Sequence, residues 1–219
     1  MSDSHYDLVV IGGGSGGLAR AQRAAQYGAK APIVEAQRPG GTCVNVGCVP
    51  KKVMWNAAQI AHAAHDAASY GFDLELDGHD WSRLKAGRDA YVLRLNGIYE
   101  RNLANRQVEL VRGHARLTGP RQVEVGDRRI TGSHVVIATG GVPTLPAIPG
   151  AEHGITSDGF FGLPERPRRI AIVGSGYVSV ELGGSCLGLG QRRLGGGHGG
   201  LGIGERGGGG LLPGRGRHQ

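Results

Sequence analysis

The hydrophobic pattern at the start of the chain predicts a strand, a tight turn and a helix. The apolar run 7–11 is short and rich in β-branched residues, and it ends in the glycine-rich stretch 12–17. Apolar residues then recur with helical spacing, Gly28 is placed to end the helix, and 31–35 has the pattern of a second strand. Because such a crossover is right-handed, the two strands should be parallel neighbours.

The pattern further along predicts two helices and a group of short strands. A polar loop is expected over 36–49, followed by a helix from Pro50 to about residue 69 and a second helix over 81–105. Short β segments over 108–140, separated by glycine turns, predict a small antiparallel meander.

The start of the N-terminal pattern is repeated later in the chain. Residues 169–173 form a second apolar run, and a second glycine turn follows at 174–179. If the first unit's spacing holds, another strand should follow within about 10 residues of Gly190. The sequence there is instead rich in glycine and cannot bury enough apolar surface to order itself.

Composition separates this last stretch from the rest of the chain. Glycine accounts for 42 of the 219 residues, and 15 of these lie in the 34 residues from Cys186 onward. Five arginines and one acidic residue, Glu205, place about +4 of the formal net charge of +7 in the same stretch. The glycines lack a three-residue period and only three cysteines are present, which excludes collagen and a disulfide-stapled scaffold.

Nothing in the hydrophobic pattern indicates a membrane or an export signal. No apolar run approaches the roughly 18 residues of a spanning helix, and residues 1–6 lack the regions of a signal peptide. A cytoplasmic protein is therefore expected, a compartment in which structural disulfides are rare.

The first glycine turn carries a dinucleotide-binding pattern. Gly12, Gly14 and Gly17 are spaced as Gly-x-Gly-x-x-Gly, and Glu35 ends the next strand 18 residues after Gly17. Such glycines permit a tight turn, the approach of a pyrophosphate and close helix packing, while the helix N-terminus offers free N–H groups. Glu35 can accept hydrogen bonds from ribose hydroxyls. A glycine turn without a ligand is the alternative.

Two cysteines stand just before the helix expected at Pro50. A helix N-terminus stabilises a thiolate, so Cys43 and Cys48 beside a dinucleotide site suggest a disulfide that is alternately oxidised and reduced. Zinc is disfavoured because a structural site takes four ligands at a recognisable spacing, the chain shows no second cysteine pair, and His62 and His65 are i, i+3 neighbours that could add at most two ligands. Inert buried thiols are a further alternative.

These residues resemble the flavin-dependent pyridine nucleotide-disulfide oxidoreductases of class I. The resemblance rests on Gly40-Gly-Thr-Cys-Val-Asn-Val-Gly-Cys-Val-Pro-Lys-Lys-Val-Met-Trp55, and it continues through 157–161 to about Gly190. Pro50-Lys51-Lys52 and Trp55 favour the branch that reduces oxidised glutathione over the dihydrolipoyl dehydrogenases, which carry Pro-Ser-Lys at this place. Thioredoxin reductases are the nearer competitor.

The resemblance implies two cofactors, FAD on the first strand–helix–strand unit and NADPH on the second. The FAD pyrophosphate would lie near Ser15 and Gly16, and its adenosine ribose on Glu35. The positions implied for cofactor binding are Gly12, Gly14, Ser15, Gly16, Gly17, Glu35, Thr42, Cys43, Lys51, Ala115, Thr139, Gly140, Gly174, Ser175, Gly176, Tyr177, Val178 and Glu181.

Catalytic roles are implied for Cys43, Cys48, Lys51 and Glu181. Cys48 would face the flavin as the charge-transfer thiol, and Cys43 would be the interchange thiol that attacks the substrate. Lys51, paired with Glu181, would lie near flavin N5, where a positive charge favours the reduced flavin. An ordinary first-turn lysine is the alternative.

Three further side chains match family positions that touch a nicotinamide or the substrate. Tyr177 would cover the nicotinamide pocket, while Ser15 and Tyr99 would line the glutathione site. On spacing alone, both tyrosines could equally be packed aromatic residues.

The sequence departs from the family after the second glycine turn. Ser179 replaces the usual third glycine or alanine, and Arg192 and Arg193 lack the strand context of arginines that select a 2′-phosphate. Full-length members are homodimers whose interface domain donates a His-Pro-Thr base, and none of the nine histidines here precedes Pro-Thr. The sequence therefore suggests the N-terminal part of a frameshifted or truncated reductase, and a frameshift would account for the composition of the tail.

The expected fold class is α/β, with a Rossmann-like FAD-binding domain over 1–150. A linker and an incomplete second Rossmann-like unit should occupy 151–190, and a low-complexity tail 191–219. A non-catalytic FAD-binding fragment is the alternative function. An RNA-binding Arg/Gly tail is disfavoured because interleaved aromatic residues are missing, so neither nucleic acid nor membrane is expected as a partner.

Overall fold

The structure is a computed structural model, and it describes residues 3–190. Its strands are β1 (Asp3–Ile11), β2 (Ile33–Glu35), β3 (Leu110–Arg112), β4 (Ala115–Gly119), β5 (Gln122–Val125) and β6 (Arg128–Ile137). Its α-helices are α1 (Ser15–Gln26), α2 (Gly41–Asn45), α3 (Cys48–Asp66), α4 (Trp81–Asn105), α5 (Ser157–Phe160) and α6 (Tyr177–Gly188). Single 3-10 turns lie at Ala67–Tyr70 and Ala151–His153.

The six strands form one mixed sheet in the order β3-β2-β1-β6-β5-β4. β1 pairs in parallel with β2 and with β6, and β2 pairs in parallel with β3. β4, β5 and β6 form an antiparallel meander. The parallel crossover and the meander predicted from the sequence are both confirmed, and so is the α/β fold class.

The core has three parts that follow from the alternation of side chains along the strands. On β1, Val9 faces a cluster made by strand residues, whereas Val10 faces a cluster that includes α1 and α4. A third cluster joins α3, α4, α5 and α6. Its buried residues are Met54, Ala58, Trp81, Phe160, Phe161, Leu182, Cys186 and Leu189.

The cysteine segment is more helical than its polar composition predicts. Where a loop is expected over 36–49, the structure has the short helix α2, and α3 begins at Cys48 rather than at Pro50. Pro50 fits inside the first turn of α3 because first-turn N–H groups have no partner within the helix.

The strand predicted over 169–173 is not formed within residues 3–190. A strand requires a neighbour for its backbone hydrogen bonds, and none of the six strands pairs with this segment. Ile170, Ile172 and Val173 are exposed. The further strand expected beyond Gly190, Arg192 and Arg193, and the tail 191–219 lie outside the described residues.

α6 nevertheless forms and packs closely on α3. A side chain at Gly184 would come within 2.7 Å of Trp55, and one at Gly188 within 2.9 Å of Ala58. The glycine-rich composition starts at Cys186, but the ordered packing continues past it because Cys186 and Leu189 are buried. Gly188 thus allows the close approach of α6 to α3.

Neither a membrane span nor a metal cluster is found in the described part of the chain. No helix within 3–190 is both long and apolar enough to cross a bilayer. No group of three or more His, Cys, Asp or Glu side chains in that range could hold a metal ion.

Candidate functional site

A large cavity lies at the carboxyl ends of the parallel strands. It measures about 990 Å³ and is lined by Gly12 after β1, Glu35 at the end of β2, 113–115 after β3, and 138–142 after β6. This edge is where ligands bind in open α/β sheets. The volume is at the upper end of the range for small-molecule sites, so a ligand as large as a dinucleotide can be accommodated.

The first glycine turn divides into glycines that the fold needs and glycines that leave space. Gly12 has φ +105°, and a Cβ there would lie 2.2 Å from the Ala138 carbonyl oxygen; one at Gly17 would lie 1.8 Å from the Gly12 oxygen. A Cβ at Gly14 would make only an ordinary 3.6 Å contact, and one at Gly16 would meet nothing within 4 Å. Gly14 and Gly16 therefore leave room for a group lying over the turn.

The amino end of α1 faces the same space. Gly14 is its N-cap and has no side chain with which to cap it, so first-turn N–H groups remain available to an anion. Ser15 and Gly16 are exposed at this end and line the cavity. The turn thus has the shape and the dipole that a pyrophosphate requires.

Glu35 is held rigidly at the cavity edge by backbone donors. The Gly13 N–H donates to Oε2 at 2.6 Å, and the Gln37 N–H donates to Oε1 at 2.7 Å. Each carboxylate oxygen can still accept a further hydrogen bond. A pair of ribose hydroxyls could therefore bind Glu35 without rearrangement of the protein.

Cys43 and Cys48 lie together on the cavity wall. Both are free thiols; Cys43 is half-buried and Cys48 is exposed. The hydrogen bond with Cys48 raises the pKa of Cys43 above its usual value, and burial adds to the rise. Cys48 is the first residue of α3 and so lies at the positive end of that helix dipole. This arrangement can form a disulfide by losing two protons and two electrons.

Lys51 brings a positive charge to the same wall. Its ammonium group forms an ion pair with Glu181 of α6 and lies 5.0 Å from the centre of the Tyr177 ring. The Lys51 side chain is only 15% exposed. The pairing of Lys51 with Glu181 that the resemblance implies is thus present in the structure.

Most of the predicted positions meet at this cavity. Those lining it are Gly12, Gly14, Ser15, Gly16, Glu35, Thr42, Cys43, Cys48, Lys51, Ala115, Thr139, Gly140, Tyr177 and Val178. Gly17 is buried behind the turn, and Gly174, Ser175 and Gly176 form exposed backbone before α6. Tyr99 does not line the cavity; it is partly buried and packs against the cluster that contains Leu103.

Several lining residues were missed by the sequence analysis. Arg38 and His114 line the cavity in the loops after β2 and β3, and the rule that ligands bind at the carboxyl edge could have indicated them. Asp158 and Phe161 line it as well, but they reach it through the packing of α5. No local pattern in the sequence signals that approach.

Comparison with known proteins agrees with this geometry. The family model described as pyridine nucleotide-disulphide oxidoreductase matches residues 6–202. The chain belongs to this family. Among curated members, a glutathione reductase of Yarrowia lipolytica (strain CLIB 122 / E 150) is 54% identical, with 84% of this chain and 42% of the relative covered. A glutathione reductase of Schizosaccharomyces pombe (strain 972 / ATCC 24843) is 50% identical with the same shares covered. The chain therefore spans about two fifths of the length of these oxidoreductases.

Proposed function

We propose that this chain forms the FAD-binding and dithiol-bearing part of an NADPH-dependent glutathione-disulfide reductase. The observation that carries the proposal is the convergence of Cys43, Cys48 and Lys51 with the 12–17 turn and Glu35 on one cavity. FAD, when bound, supplies a two-electron carrier between the nicotinamide and a disulfide. In the overall reaction, NADPH, one proton and oxidised glutathione become NADP⁺ and two glutathione molecules.

The residues present fit FAD. Gly14 and Gly16 leave open space beside the amino end of α1, where a pyrophosphate would accept hydrogen bonds from the backbone. Glu35 would bind the adenosine ribose. The other proposed FAD positions, which line the same cavity, are Thr42, Ala115, Thr139 and Gly140.

The two thiols would carry the disulfide exchange. The Cys43 thiolate attacks one sulfur of oxidised glutathione, which forms a mixed disulfide and releases the first glutathione as a thiolate. Cys48 then attacks the Cys43 sulfur, which restores the Cys43–Cys48 disulfide and releases the second glutathione. The Lys51 ammonium, oriented by Glu181, stabilises negative charge that develops nearby.

The NADPH and substrate positions complete the proposal. Tyr177 and Val178 line the cavity and would contact the nicotinamide, with Gly174, Ser175 and Gly176 in the turn before them. Ser15 and Tyr99 are the proposed glutathione positions. Homodimerisation and the base that protonates the leaving thiolate would belong to the longer reductase.

A trapping experiment tests the exchange chemistry. With Cys48→Ser, oxidised glutathione should attach one glutathione to Cys43, and no second thiol should lie beside Cys43 to release it, since Cys186 is buried. Mass spectrometry of the intact chain and its peptides would locate the adduct. With Cys43→Ser as the matched variant, labelling at Cys48 should be much slower. Equal labelling of the two variants would contradict the assignment of Cys43 as the attacking thiol.

A flavin titration tests the cofactor site and separates the two functional hypotheses. Glu35→Ala should weaken FAD binding by roughly ten- to a hundredfold, because hydrogen bonds to charged groups contribute about 1.5–3 kcal/mol. Glu152→Ala is the control, since Glu152 is exposed and bonds only to His153 among the described residues. FAD binding with NADPH-dependent turnover would support the reductase. FAD binding with no turnover and no mixed disulfide would favour a non-catalytic flavin-binding chain.

A further inference from the structure

A buried asparagine links the longest helix to the loop that carries Cys43. Asn96 lies in the interior of α4 and is 5% exposed. Its Nδ2 donates to the Pro39 carbonyl oxygen at 2.8 Å and to Oδ1 of Asn45 at 3.0 Å. Buried polar groups are usually hydrogen-bonded. Both hydrogen-bond partners of Asn96 belong to one loop and the short helix α2 that follows it.

The orientation of both amides is fixed by carbonyl groups, which can only accept hydrogen bonds. Nδ2 of Asn96 must face Pro39 because a side-chain oxygen there would repel the carbonyl oxygen. Nδ2 of Asn45 donates to the Gly41 and Arg38 carbonyl oxygens at 3.0 and 3.2 Å. Its Oδ1 is therefore left to accept from Asn96. The hydrogen bonds run in one direction, from α4 through Asn45 to the loop.

This loop and the start of α2 border two features of the cavity, the wall that carries Cys43 and the first glycine turn. Gly41 and Cys43 line the cavity wall. The Gly40 N–H donates to the Gly13 carbonyl oxygen at 2.8 Å. A Cβ at Gly41 would lie 2.6 Å from the Gly14 Cα. Any shift of the loop would therefore move Cys43 and disturb the first glycine turn together.

The burial of Asn96 also lowers the stability of the folded protein. Its own Oδ1 is buried and has no hydrogen-bond partner among residues 3–190. A buried unsatisfied acceptor is destabilising, whereas an apolar side chain of similar shape would leave no such atom. The two hydrogen bonds that Nδ2 donates offset part of the cost of burying this amide. Both of them fix the position of the loop.

We propose that Asn96 is a positioning residue that holds Cys43 in disulfide-forming range of Cys48. This inference rests on the proposed function of the two thiols as a redox pair. Holding one thiol in place raises its effective concentration at the other. Asn96 therefore favours the disulfide without touching either sulfur.

The redox equilibrium of the full chain tests this role. The protein disulfide and reduced dithiothreitol exchange two electrons and two protons to give the protein dithiol and cyclic oxidised dithiothreitol. Asn96→Leu should lower the equilibrium constant for disulfide formation about tenfold, a shift of about 30 mV in the midpoint potential. The dithiol and disulfide fractions would be measured by alkylation and mass spectrometry after an acid quench.

Three variants separate positioning from loss of stability. Asn102→Leu makes the same change at an exposed position of α4 and should leave the equilibrium unchanged. Val123→Ala removes packing from a sheet-core cluster that contains no residue of the loop or of α2, and should lower stability without shifting the potential. Asn45→Ala breaks the chain of hydrogen bonds at a half-buried site and should shift it in the same direction as Asn96→Leu, even if the latter folds poorly.

The outcomes distinguish this inference from the proposed function. A reversible disulfide in the unmodified chain, with unchanged potentials in Asn45→Ala and Asn96→Leu, would overturn the positioning role and leave the redox pair intact. An equal shift in Val123→Ala would also overturn it, because general destabilisation would then explain the effect. Failure of the unmodified chain to form a reversible Cys43–Cys48 disulfide would overturn the proposed function and this inference together.

Discussion

Replacing Gly17 by alanine should destabilise the protein, whereas the same change at the adjacent Gly16 should not. Both residues lie in the first turn of α1. A Cβ at Gly17 would lie 1.8 Å from the Gly12 carbonyl oxygen and 3.2 Å from Val10 Cγ1. A Cβ at Gly16 would meet nothing within 4 Å. The pair therefore isolates the close approach of helix and strand from the general effect of adding a methyl group.

The magnitude follows from two opposing contributions. Overpacking a rigid contact costs about 1–3 kcal/mol, and a clash with backbone belongs at the upper end. Alanine regains up to about 1 kcal/mol of helix propensity over glycine. Gly17→Ala should thus lose about 2 kcal/mol, which corresponds to a fall of about 4–8 °C in Tm for a chain of this size. Gly16→Ala should be neutral or slightly more stable.

Thermal melting followed by circular dichroism, with urea unfolding as a second measurement, would check this difference. Gly16 lines the cavity, so Gly16→Ala should bind FAD more weakly although its stability is maintained. The reasoning would be refuted by a Gly17→Ala variant that melts with the unmodified chain, or by equal losses of stability in the two variants.

Two further predictions concern titrating groups. Cys48→Ala should lower the pKa of Cys43, because the hydrogen bond with Cys48 is the largest cause of the raised pKa. Iodoacetamide should then alkylate Cys43 faster at mildly alkaline pH, because more of the thiol is ionised. An unchanged alkylation rate would contradict this. Glu109 has a pKa below its usual value through the hydrogen bond from Tyr6, with Arg128 acting in the same direction. Its stabilisation is present above the unfolded pKa of about 4.3 and is lost as the pH falls through the lower folded pKa. Glu109→Gln should therefore cost up to about 1 kcal/mol in urea unfolding at about pH 7 and little at about pH 3, and an equal cost at both would contradict the assignment.

The first strand–helix–strand unit and α4 could be predicted from the sequence because their signals are local. Helical spacing of apolar residues predicts a helix over 81–105, and the structure has one at Trp81–Asn105. Gly28 ends the first helix with φ +84°, a conformation that glycine adopts without strain. Each of these features depends on residues within a few positions of one another.

The segment 169–173 shows why the rest could not be predicted in this way. Its apolar run has the composition of a strand, but a strand is completed only by a partner supplied from elsewhere in the chain. Within the described residues no partner is present. The next helix, α6, makes its backbone hydrogen bonds within itself. It is present directly after the glycine turn, where the sequence predicts a helix.

The residues of the candidate site also fall into two groups, those that local sequence signals predict and those that only packing brings together. The glycines of the first turn, Glu35 and the two cysteines follow strand ends or helix starts, so spacing alone brings them to one edge of the sheet. Phe161 reaches the site only through packing between helices, and Asn96 contacts the loop beside the site, through its hydrogen bonds to Pro39 and Asn45. Residue type gives no hint of this, because a mid-helix asparagine is more often solvated than buried.

Packing also makes the position of Lys51 depend on residues beyond the expected first domain. The composition places a linker after residue 150, yet Phe160, Phe161 and Leu182 share one buried cluster with Met54 of α3. Arg88 is buried and donates to the Phe161 carbonyl oxygen at 2.6 Å, which ties this later segment to α4. Glu181 lies in the same segment and is the ion-pair partner of Lys51. The glycine turn and Glu35, which are proposed to bind a dinucleotide, lie before residue 150, whereas the charged wall beside the thiols requires α6 as well. The proposed dinucleotide site and the charge near the thiols thus depend on different parts of the chain, which meet at a single cavity.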